Sequence, residues 1–275
     1  MSSTIDGPRV GAYGFALTGF EDSVESWLNP AADHWSEVAV AQRIGPASRE
    51  TVIDDERARI ALVGDRSVEI VRSPASVCFV GESRLSSAAM IHPFLAPAAS
   101  KLAKWNDWIT FHAGAFVVNG EAWLVASGRN GGKSTTLAAL ERKGYPVLAD
   151  DLVVATRDGQ AMCGPRSVDL REKGRFPGAV DIGHVGERRR WRLKLENPVP
   201  PESPIAGVIR LEWSDHTRIS EVGLDEKAEG MGSMLTRQLS PRNALHVLRL
   251  RTIAIGRPPG PIGATVELFE RATDV

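Results

Sequence analysis

The sequence predicts an α/β protein with a mixed sheet, preceded by a smaller β-rich N-terminal region. The first observation is "AGAFVVNGEAWLVA", two strand-like runs joined by Asn119-Gly120, a pair that favours a two-residue hairpin because both central positions need positive φ. The second is "KSTTLAALERKG", a helical stretch with Leu137 and Leu140 on one face and Gly144 placed to end it. The third is "YPVLADDLVVA", whose apolar composition indicates a buried strand. These elements, in this order, favour the α/β class.

The N-terminal part of the chain carries the signals of short strands. The segment "VGAYGFALTGF" predicts one strand. The segment "RIALVGDRSVEIVRSPASVCFVG" predicts a small antiparallel meander, broken at "GD" and "SP". We therefore predict two domains, a β-rich N-terminal region over residues 1–85 and a second domain over residues 86–275.

The second domain begins with "AAMIHPFLAPAASKLAKW", which favours helix in parts, with Pro93 and Pro97 breaking or delimiting it. Further along, "PIAGVIRLEW" and "RTIAIG" predict strands, and "SPRNALHVLRL" predicts a C-terminal helix capped by Ser240. The proline-rich "ENPVPPESP" predicts a loop inside the domain, because apolar strands continue on both sides of it.

The composition is that of a globular protein without a global attraction for polyanions. Of its 275 residues 43% are hydrophobic and 24% are charged, and the formal net charge is -1. We therefore expect no nucleic-acid partner. We expect no membrane partner either, because no stretch reaches the ~18 continuous apolar residues of a membrane helix. Cys78 and Cys163 form no ligand-like pair and no leader-like segment opens the chain, so we expect a cytoplasmic location.

The most informative stretch is a phosphate-binding loop of irregular form. The usual pattern, G-x-x-x-x-G-K-[ST], holds phosphates and magnesium through backbone N–H groups, a lysine and a hydroxyl. Here Ser127 replaces the first glycine, while "GGKS" keeps the second half between a predicted strand and a predicted helix. The predicted nucleotide-binding residues are Gly128, Arg129, Asn130, Gly131, Gly132, Lys133, Ser134 and Thr135. The alternative is a glycine-rich turn that happens to precede a lysine.

Two adjacent aspartates, Asp150 and Asp151, end the apolar run after the loop's helix, where phosphate-loop proteins commonly carry an acid for magnesium. Adjacent residues of a strand point to opposite faces, so both can serve one site only if the strand ends or twists there. One carboxylate would then lie near the metal and the other near the transferred phosphoryl group. The alternative is that one of them caps a turn or pairs with an arginine.

His112 opens the hairpin whose second strand leads to the phosphate loop, so both are expected at the same edge of the sheet. A histidine in such a place is more often a hydrogen-bonded structural residue than a catalyst. Beside a carboxylate it would orient that group and perturb its pKa, which suits a base for a hydroxyl acceptor.

The segment from Phe111 to Val154 combines a histidine-bearing strand, a hairpin, a "GGKST" loop, a helix and an "LADDLVV" strand. In this it resembles the kinase core of bacterial HPr kinase/phosphorylase and its smaller relatives, including kinases that phosphorylate ribosomal peptides such as lasso-peptide precursors. The resemblance implies a phosphoenolpyruvate-carboxykinase-like P-loop kinase fold. It also implies transfer of the ATP γ-phosphate to a serine hydroxyl with Mg²⁺ required.

The resemblance further implies roles for individual residues. The family's catalytic base falls on Asp150, its histidine on His112 and its phosphate-binding lysine on Lys133, which makes these three the predicted catalytic residues. The predicted metal residues are Ser134 and Asp151.

Two departures from the family's pattern concern the reverse reaction and the substrate. The loop that the family associates with phosphorylase activity carries two arginines, and "PVPPESP" keeps its frame without either, which predicts little phosphorolysis. In place of a long glycine-rich segment after the aspartates stands "GPRSVDLREKGRFPG", in which Arg166, Asp169 and Arg171 are candidate substrate or phosphate contacts.

The only dense basic run in the sequence is Arg188-Arg189-Arg190, followed by Arg192 and Lys194. Such a run is most often a solvated face. The alternative is a clamp for an acidic peptide or a phosphoryl group, since guanidinium groups bind phosphate in two parallel hydrogen bonds. The tryptophans expected as core or surface-anchoring residues are Trp105, Trp108, Trp123, Trp191 and Trp213.

The sequence thus predicts an ATP- and Mg²⁺-dependent kinase that acts on a serine of a peptide or protein, of which a lasso-type precursor is one example. The expected partner is a peptide or protein with an acceptor serine, and a homo-oligomer is left open. Two alternatives remain: a kinase for a small-molecule alcohol, and a nucleotide-binding regulatory protein with little turnover.

Overall fold

The computed structural model describes residues 9–20, 26–86, 89–185, 188–236 and 239–274. Within them the chain is a mixed α/β protein with three sheets. The strands are β1 (Val10–Ala12), β2 (Phe15–Thr18), β3 (Asn29–Pro30), β4 (Ser36–Ile44), β5 (Val52–Ile53), β6 (Arg57–Leu62), β7 (Arg66–Val71), β8 (Ser76–Gly81), β9 (Ile109–Phe111), β10 (Gly114–Val118), β11 (Glu121–Ser127), β12 (Val147–Ala149), β13 (Val153–Ala155), β14 (Gln160–Met162), β15 (Ser167–Leu170), β16 (Val180–Val185), β17 (Arg188–Lys194), β18 (Glu202–Trp213), β19 (Arg218–Glu221) and β20 (Arg251–Arg257). The helices are α1 (Leu95–Trp105), α2 (Lys133–Arg142), α3 (Leu224–Met234), α4 (Pro241–Arg249) and α5 (Ile262–Ala272), and a helical turn spans Met90–Phe94.

The N-terminal sheet is rich in strands, as predicted, with the order β3-β1-β2-β4-β8-β7-β6-β5. Strands β6, β7 and β8 form the predicted antiparallel meander. The single strand predicted at "VGAYGFALTGF" is instead a hairpin of β1 and β2. The chain turns there because Tyr13 (φ 60) and Gly14 (φ 84) adopt left-handed backbone conformations.

The second sheet contains the predicted hairpin. Strands β10 and β11 pair antiparallel, with Val118 opposite Glu121. Between them Asn119 (φ 53) and Gly120 (φ 81) both have positive φ, as a type I′ turn requires. Strand β11 then pairs parallel with β18, and β18 pairs parallel with β20. The combination of antiparallel and parallel pairs confirms the predicted mixed sheet.

The parallel strands bring three distant parts of the chain to one edge of this sheet. Strand β11 ends at Ser127, β18 ends at Trp213 and β20 ends at Arg257. Because parallel strands finish on the same side, the phosphate-binding loop after β11 lies beside the ends of β18 and β20. Ligand sites of α/β sheets are typically built at the carboxyl ends of such strands.

Both faces of the second sheet are buried, and alternate residues of the hairpin strands enter different hydrophobic clusters. Phe116 and Val125 pack in the cluster that contains residues of α2 and α5. Ala115 and Leu124 pack in the cluster that contains α1 and the N-terminal sheet. Because the N-terminal sheet shares this core with the rest of the chain, the division at residue 85 stays a prediction about folding units.

The two prolines near the start of the second region act differently. Pro97 lies in the first turn of α1, where its missing N–H would have no intrahelical partner, so it does not break the helix. The break lies at His92, whose backbone is extended (φ -149). The residue before a proline, here Pro93, is disfavoured in the α conformation.

Elements near the C-terminus depart from the prediction. Helix α4 occupies the predicted place, with Ser240 Oγ accepting a hydrogen bond from the Asn243 N–H at 3.3 Å as its N-cap. It is not the last helix, because α5 follows and packs its buried Phe269 into the cluster with α2. Strand β18 begins at Glu202, inside the stretch predicted as a loop, because β14 pairs with its first residues. No helix in the described ranges is both long enough and apolar enough to span a membrane.

Candidate active site

The phosphate-binding loop connects the end of β11 to the first turn of α2. Its backbone requires glycine at two positions. Gly132 has φ 89, and a Cβ atom there would collide with Nη2 of Arg257. A Cβ atom on Gly131 would lie 2.7 Å from the Cβ of Ser127. The loop therefore passes so close to its neighbours that the two glycines of "GGKS" are needed for its path.

The first turn of α2 lines a cavity of about 980 Å³. The first N–H groups of a helix lack intrahelical partners and lie at the positive end of its dipole, so this part of the cavity is suited to an anion. The residues predicted to bind the nucleotide all line the cavity: Gly128, Arg129, Asn130, Gly131, Gly132, Lys133, Ser134 and Thr135.

Lys133 connects the loop to the aspartate pair. Its Nζ lies 3.0 Å from Oδ1 of Asp151 and 3.6 Å from Oδ1 of Asp150. Ser134 Oγ donates a hydrogen bond to the same Oδ1 of Asp150 at 3.1 Å. Lys133 and Asp150 are buried. The ammonium, the hydroxyl and the two carboxylates thus form one compact cluster.

A break in the strand predicted at "YPVLADDLVVA" brings both carboxylates to this cluster. Strand β12 ends at Ala149 and β13 begins at Val153. Between them Asp151 has φ 71, and the Leu152 N–H donates to the carbonyl of Asp150 at 2.9 Å. The interruption is the condition under which adjacent aspartates can serve one site.

The two carboxylates lie in different electrostatic environments. Burial raises the pKa of Asp150, against the opposing effect of the Lys133 ammonium. Burial acts in the same direction on Asp151, but Lys133 and the imidazoles of His92 and His112 outweigh it and lower its pKa to about 2. At neutral pH Asp151 is therefore ionised, whereas the ionisation of Asp150 depends on the cations beside it.

His112 lies at the same edge of the sheet as the phosphate loop, and both line the cavity. Its Nδ1 lies 3.8 Å from Oδ1 of Asp151. Its backbone N–H donates to the carbonyl of Met234, at the end of α3, at 2.7 Å. The carboxylate beside His112 is thus Asp151 rather than the predicted base Asp150.

A second charged network supports the first one from behind. Arg192 donates to both carboxylate oxygens of Asp169, from Nε at 2.6 Å and from Nη2 at 2.8 Å. The Asp169 N–H lies 3.4 Å from Oδ2 of Asp150, to which it donates. His92 Nε2 lies 3.8 Å from Oδ2 of Asp169. Asp169 was a candidate substrate contact in the sequence. In the structure its carboxylate binds Arg192, and its backbone N–H helps to position Asp150.

Two residues of this neighbourhood escaped the sequence analysis. His92 precedes the proline at the helix break, and no motif connects it with Asp169. Tyr13 lies in the turn between β1 and β2, where its N–H donates to the carbonyl of Cys163 at 2.6 Å. Burial raises the pKa of Tyr13 far above its usual range, and the charges of Asp151 and Asp150 add to that effect. The N-terminal sheet thus places a buried phenol near the aspartates.

The ends of β18 and β20 hold the outer side of the phosphate loop. The guanidinium of Arg257 lies 3.9 Å from a ring centroid of Trp213, and its Nη2 donates to the carbonyl of Gly131 at 3.2 Å. Trp213 Nε1 donates to the carbonyl of Asn130 at 3.1 Å. Arg257 is buried, and its Nε has no hydrogen-bond partner in the described part of the chain. A buried donor of this kind beside the loop is suited to a ligand acceptor.

The arginines singled out in the sequence divide into two groups. Arg171 donates to the side-chain oxygen of Asn130 and lines the cavity together with Arg190. Arg166 instead donates from Nε to the carbonyl of Leu195 at 3.2 Å. Because its guanidinium satisfies backbone carbonyls, Arg166 has a structural role rather than the substrate contact suggested by the sequence.

The oxygen donors beside α2 fit a Mg²⁺ ion that is shared with phosphate groups. Among the described residues, no group of three or more His, Cys, Asp or Glu side chains is placed to hold a metal ion by itself. Mg²⁺ at phosphate sites usually takes one or two carboxylates and completes its shell with phosphate oxygens and water. Ser134 Oγ and Asp150 Oδ1, 3.1 Å apart, supply a hydroxyl and a carboxylate of this kind.

Comparison with known proteins gives distant structural neighbours but no family. Neither a protein-family model nor a curated protein matches the sequence. Among solved structures, the HPr(Ser) kinase/phosphatase from Coxiella burnetii aligns with a TM-score of 0.35 and 16% identity, over 60% of this chain and 93% of that chain. A TM-score this low supports no inference about function, so the function is inferred from the site itself.

Proposed function

We propose that this protein is an ATP-dependent kinase that transfers the γ-phosphoryl group to a serine hydroxyl of a peptide or protein, with Mg²⁺ as its cofactor. The observation that carries the proposal is the position of Lys133. It begins α2 at a helix N-terminus suited to phosphate, and its ammonium lies 3.0 Å from Asp151 and 3.6 Å from Asp150. A phosphate site and a carboxylate pair in one cavity are the parts that phosphoryl transfer to a hydroxyl requires.

The size of the cavity supports a reaction between two substrates. Its volume of about 980 Å³ lies at the upper end of the roughly 300–1,000 Å³ typical of small-molecule sites. A nucleotide and the side chain of an acceptor residue can therefore share it.

In the proposed reaction, the serine oxygen forms a bond to the γ-phosphorus while the bond from that phosphorus to the β–γ bridging oxygen breaks. ADP leaves with the bridging oxygen, and the hydroxyl proton passes to an aspartate carboxylate. Lys133 and the N–H groups of the loop hold the phosphates and stabilise the charge that develops on them. When bound, Mg²⁺ would supply further neutralisation of the phosphate oxygens from Ser134 and an aspartate.

Asp150 is the proposed proton acceptor and Asp151 the proposed metal residue. The raised pKa of Asp150 supports this division, because a base is more effective when its pKa approaches the working pH. The hydrogen bond from Ser134 to Asp150 supports the opposite division, because an adjoining hydroxyl and carboxylate are placed to share one Mg²⁺. The metal dependence of Asp150→Asn and Asp151→Asn decides between the two.

The proposal is tested by measuring ADP formation with purified protein, ATP and Mg²⁺, in the presence of serine peptides, of the same peptides with alanine, or of sugars and free amino acids. We expect ADP formation to depend on the serine peptides and phosphoserine to appear in them by mass spectrometry. Turnover with a metabolite alcohol alone, or tight ATP binding without turnover, would contradict the proposal. Because "PVPPESP" lacks arginines, we expect phosphopeptide and millimolar phosphate to yield little pyrophosphate.

A further inference from the structure

Arginines on one side of the cavity, and on the strand that continues outward from it, are not used by the proposed transfer. We call Arg171, Arg188 and Arg190 the arginine wall. Arg171 and Arg190 line the cavity, and both Arg190 and Arg188 act electrostatically on Arg171. The three cations therefore lie close enough to bind one ligand together.

The register of the three-stranded sheet explains how the wall is built. Along β17, side chains alternate between two faces, so Arg188 and Arg190 share the face of Arg192. Arg192 is fixed at the back of the active site by Asp169, its partner across β15. Arg190 and Arg188 follow on the same face at steps of roughly 6.6 Å. The wall thus begins beside the catalytic carboxylates and runs outward.

The opposite face of the same strand provides an internal comparison. Arg189 lies between Arg188 and Arg190 but points to the other face, where its Nε donates to Oδ2 of Asp181 at 2.9 Å. Asp181 is paired across the strands with Trp191, which shares that face. Arg189 therefore has an ion-pair partner within the protein and lies outside the wall.

The wall has no such partner in the described part of the chain. No salt bridge there joins Arg171, Arg188 or Arg190 to a carboxylate, although the nearby Arg175 pairs with Glu172 at 2.6 Å. Burial lowers the pKa of Arg171, the charges of Arg190, Arg188 and Arg129 lower it further, and the charge of Asp151 offsets this only in part. Like charges held together without neutralisation are unfavourable unless a ligand supplies the opposite charge.

We propose that the arginine wall binds carboxylate side chains of the acceptor peptide, so that the enzyme selects serines flanked by aspartate or glutamate. This inference rests on the proposed kinase function and names its substrate class. A guanidinium group can bind a carboxylate through two parallel hydrogen bonds, which fixes orientation as well as affinity. The nucleotide phosphates have partners of their own at Lys133 and at the start of α2, so the wall is left to the acceptor.

The experiment compares serine peptides in pairs. One member carries aspartate and glutamate near the serine, and the other carries asparagine and glutamine at the same positions. The readout is the ratio of kcat/KM for the acidic peptide to kcat/KM for its neutral partner. We expect this ratio to favour the acidic peptide and to fall about two- to fivefold in Arg190→Gln and in Arg188→Gln, the scale of partly exposed ion pairs. Arg189→Gln is the matched control, since it changes the same charge on the other face, and it should leave the ratio unaltered.

Three outcomes would overturn the inference while the kinase function stands. The first is equal phosphorylation of acidic and neutral peptides, and the second is a loss of the preference in Arg189→Gln equal to that in Arg190→Gln. The third is a rise of the KM for ATP as the main effect of Arg190→Gln. Inhibition by a single-stranded oligonucleotide as strong as by the acidic peptide would also overturn it. If no serine peptide is phosphorylated, the proposed function fails. Binding of a fluorescent acidic peptide to the wild type and not to Arg188→Gln/Arg190→Gln would then still support the wall.

Discussion

The charges at the back of the cavity, where Lys133, Asp150, Asp151, Asp169 and Arg192 lie, are compensated within the protein. The charges of the arginine wall are not. At the back, every carboxylate faces a cation of the protein, since Asp150 and Asp151 face Lys133 and Asp169 faces Arg192. In the wall, the arginines have no carboxylate partner among the described residues. The charges at the back are therefore paired before any ligand binds, whereas those of the wall acquire carboxylate partners only from a ligand.

This difference separates two kinds of effect that substitutions should have. At the back, changing one residue leaves its partner without compensation, so the chemistry or the fold itself suffers. In the wall, changing one residue relieves repulsion and removes a contact to the ligand, so the choice of acceptor changes instead. The largest effects are therefore expected at the back of the cavity, and smaller ones where the phosphate loop is held from outside.

The largest effect is expected for Lys133→Ala. The side chain supplies the cation for the phosphates, and the loss of even one neutral hydrogen-bond donor to a transition state costs about 10²–10³ in rate. We expect peptide phosphorylation to fall by about 10³-fold or more, with the circular dichroism spectrum unchanged. Lys143→Ala, at the other end of α2 where the lysine pairs with Glu270, should retain the wild-type rate. Unchanged phosphorylation in Lys133→Ala would remove the loop from the active site.

The next effect concerns stability rather than rate. Arg192→Gln leaves the Asp169 carboxylate buried without its cation, and breaking a buried ion pair from one side costs about 3–5 kcal/mol. We expect a correspondingly lower free energy of unfolding in urea denaturation. Arg189→Gln, three residues earlier on β17 and on the exposed face, should not change it measurably. Equal stability of the two variants would show that the Arg192 pair contributes little to the fold.

The aspartates are compared through Asp150→Asn and Asp151→Asn, which keep size and remove charge. If Asp150 accepts the proton, its variant should lose about 10²-fold or more in phosphoryl transfer, the scale of a lost general base, with ATP affinity within several-fold. Asp151→Asn should then mainly raise the Mg²⁺ concentration needed for half-maximal rate. The reverse pattern would assign the metal to Asp150 and Ser134. Small and equal effects at saturating Mg²⁺ would favour a regulatory nucleotide-binding protein.

The pH dependence separates the same two residues. Burial raises the pKa of Asp150, so activity that needs its ionised form should decline as the pH falls, at values above the ordinary aspartate pKa of about 3.9. A decline set by Asp151, whose pKa is about 2, would lie below that range. We expect the acid limb of kcat to persist in Asp151→Asn at saturating Mg²⁺, and its loss in that variant would contradict the assignment to Asp150.

Much of this site could be predicted because its signals are local in the sequence. The "GGKS" loop, the Asn119-Gly120 hairpin and the paired aspartates each lie within a few residues, so their geometry follows from turn and helix rules. The supporting network depends on strand register instead: Arg192 meets Asp169 across two strands, and it meets the carbonyl of His92, 100 residues away, at 3.1 Å. Nothing local specifies such contacts.

The different environments of the two aspartates could not be predicted from the sequence either. Asp150 and Asp151 have the same chemistry and adjacent positions. Their pKa values diverge because burial dominates at Asp150, whereas the charge and hydrogen bond of Lys133 and the charges of the two histidines outweigh burial at Asp151. Trp213 could be assigned only to the general class of core or surface aromatics, because its neighbours come from distant parts of the chain. Its role becomes visible when β18 and β20 end together beside the loop.

The smallest effect is expected for Trp213, which acts on the loop from outside. Its indole N–H holds the carbonyl of Asn130, and its ring lies against the guanidinium of Arg257, which in turn holds the carbonyl of Gly131. Trp213→Phe removes the N–H and keeps a ring, so the cost is that of one hydrogen bond, about 0.5–1.5 kcal/mol. We expect the KM for ATP to rise about two- to tenfold with kcat little changed.

Trp213→Ala also removes the stacking on Arg257, which adds about 0.5–1 kcal/mol at a partly exposed site. Its KM for ATP should therefore exceed that of Trp213→Phe by a further two- to fivefold, roughly. Neither variant should alter the preference for acidic over neutral peptides, because Trp213 lies on the loop's side of the cavity and not on the arginine wall. A change in that preference would show that the loop and the wall bind the same ligand. A KM for ATP equal to that of the wild type in both variants would show that the loop keeps its conformation without support from β18.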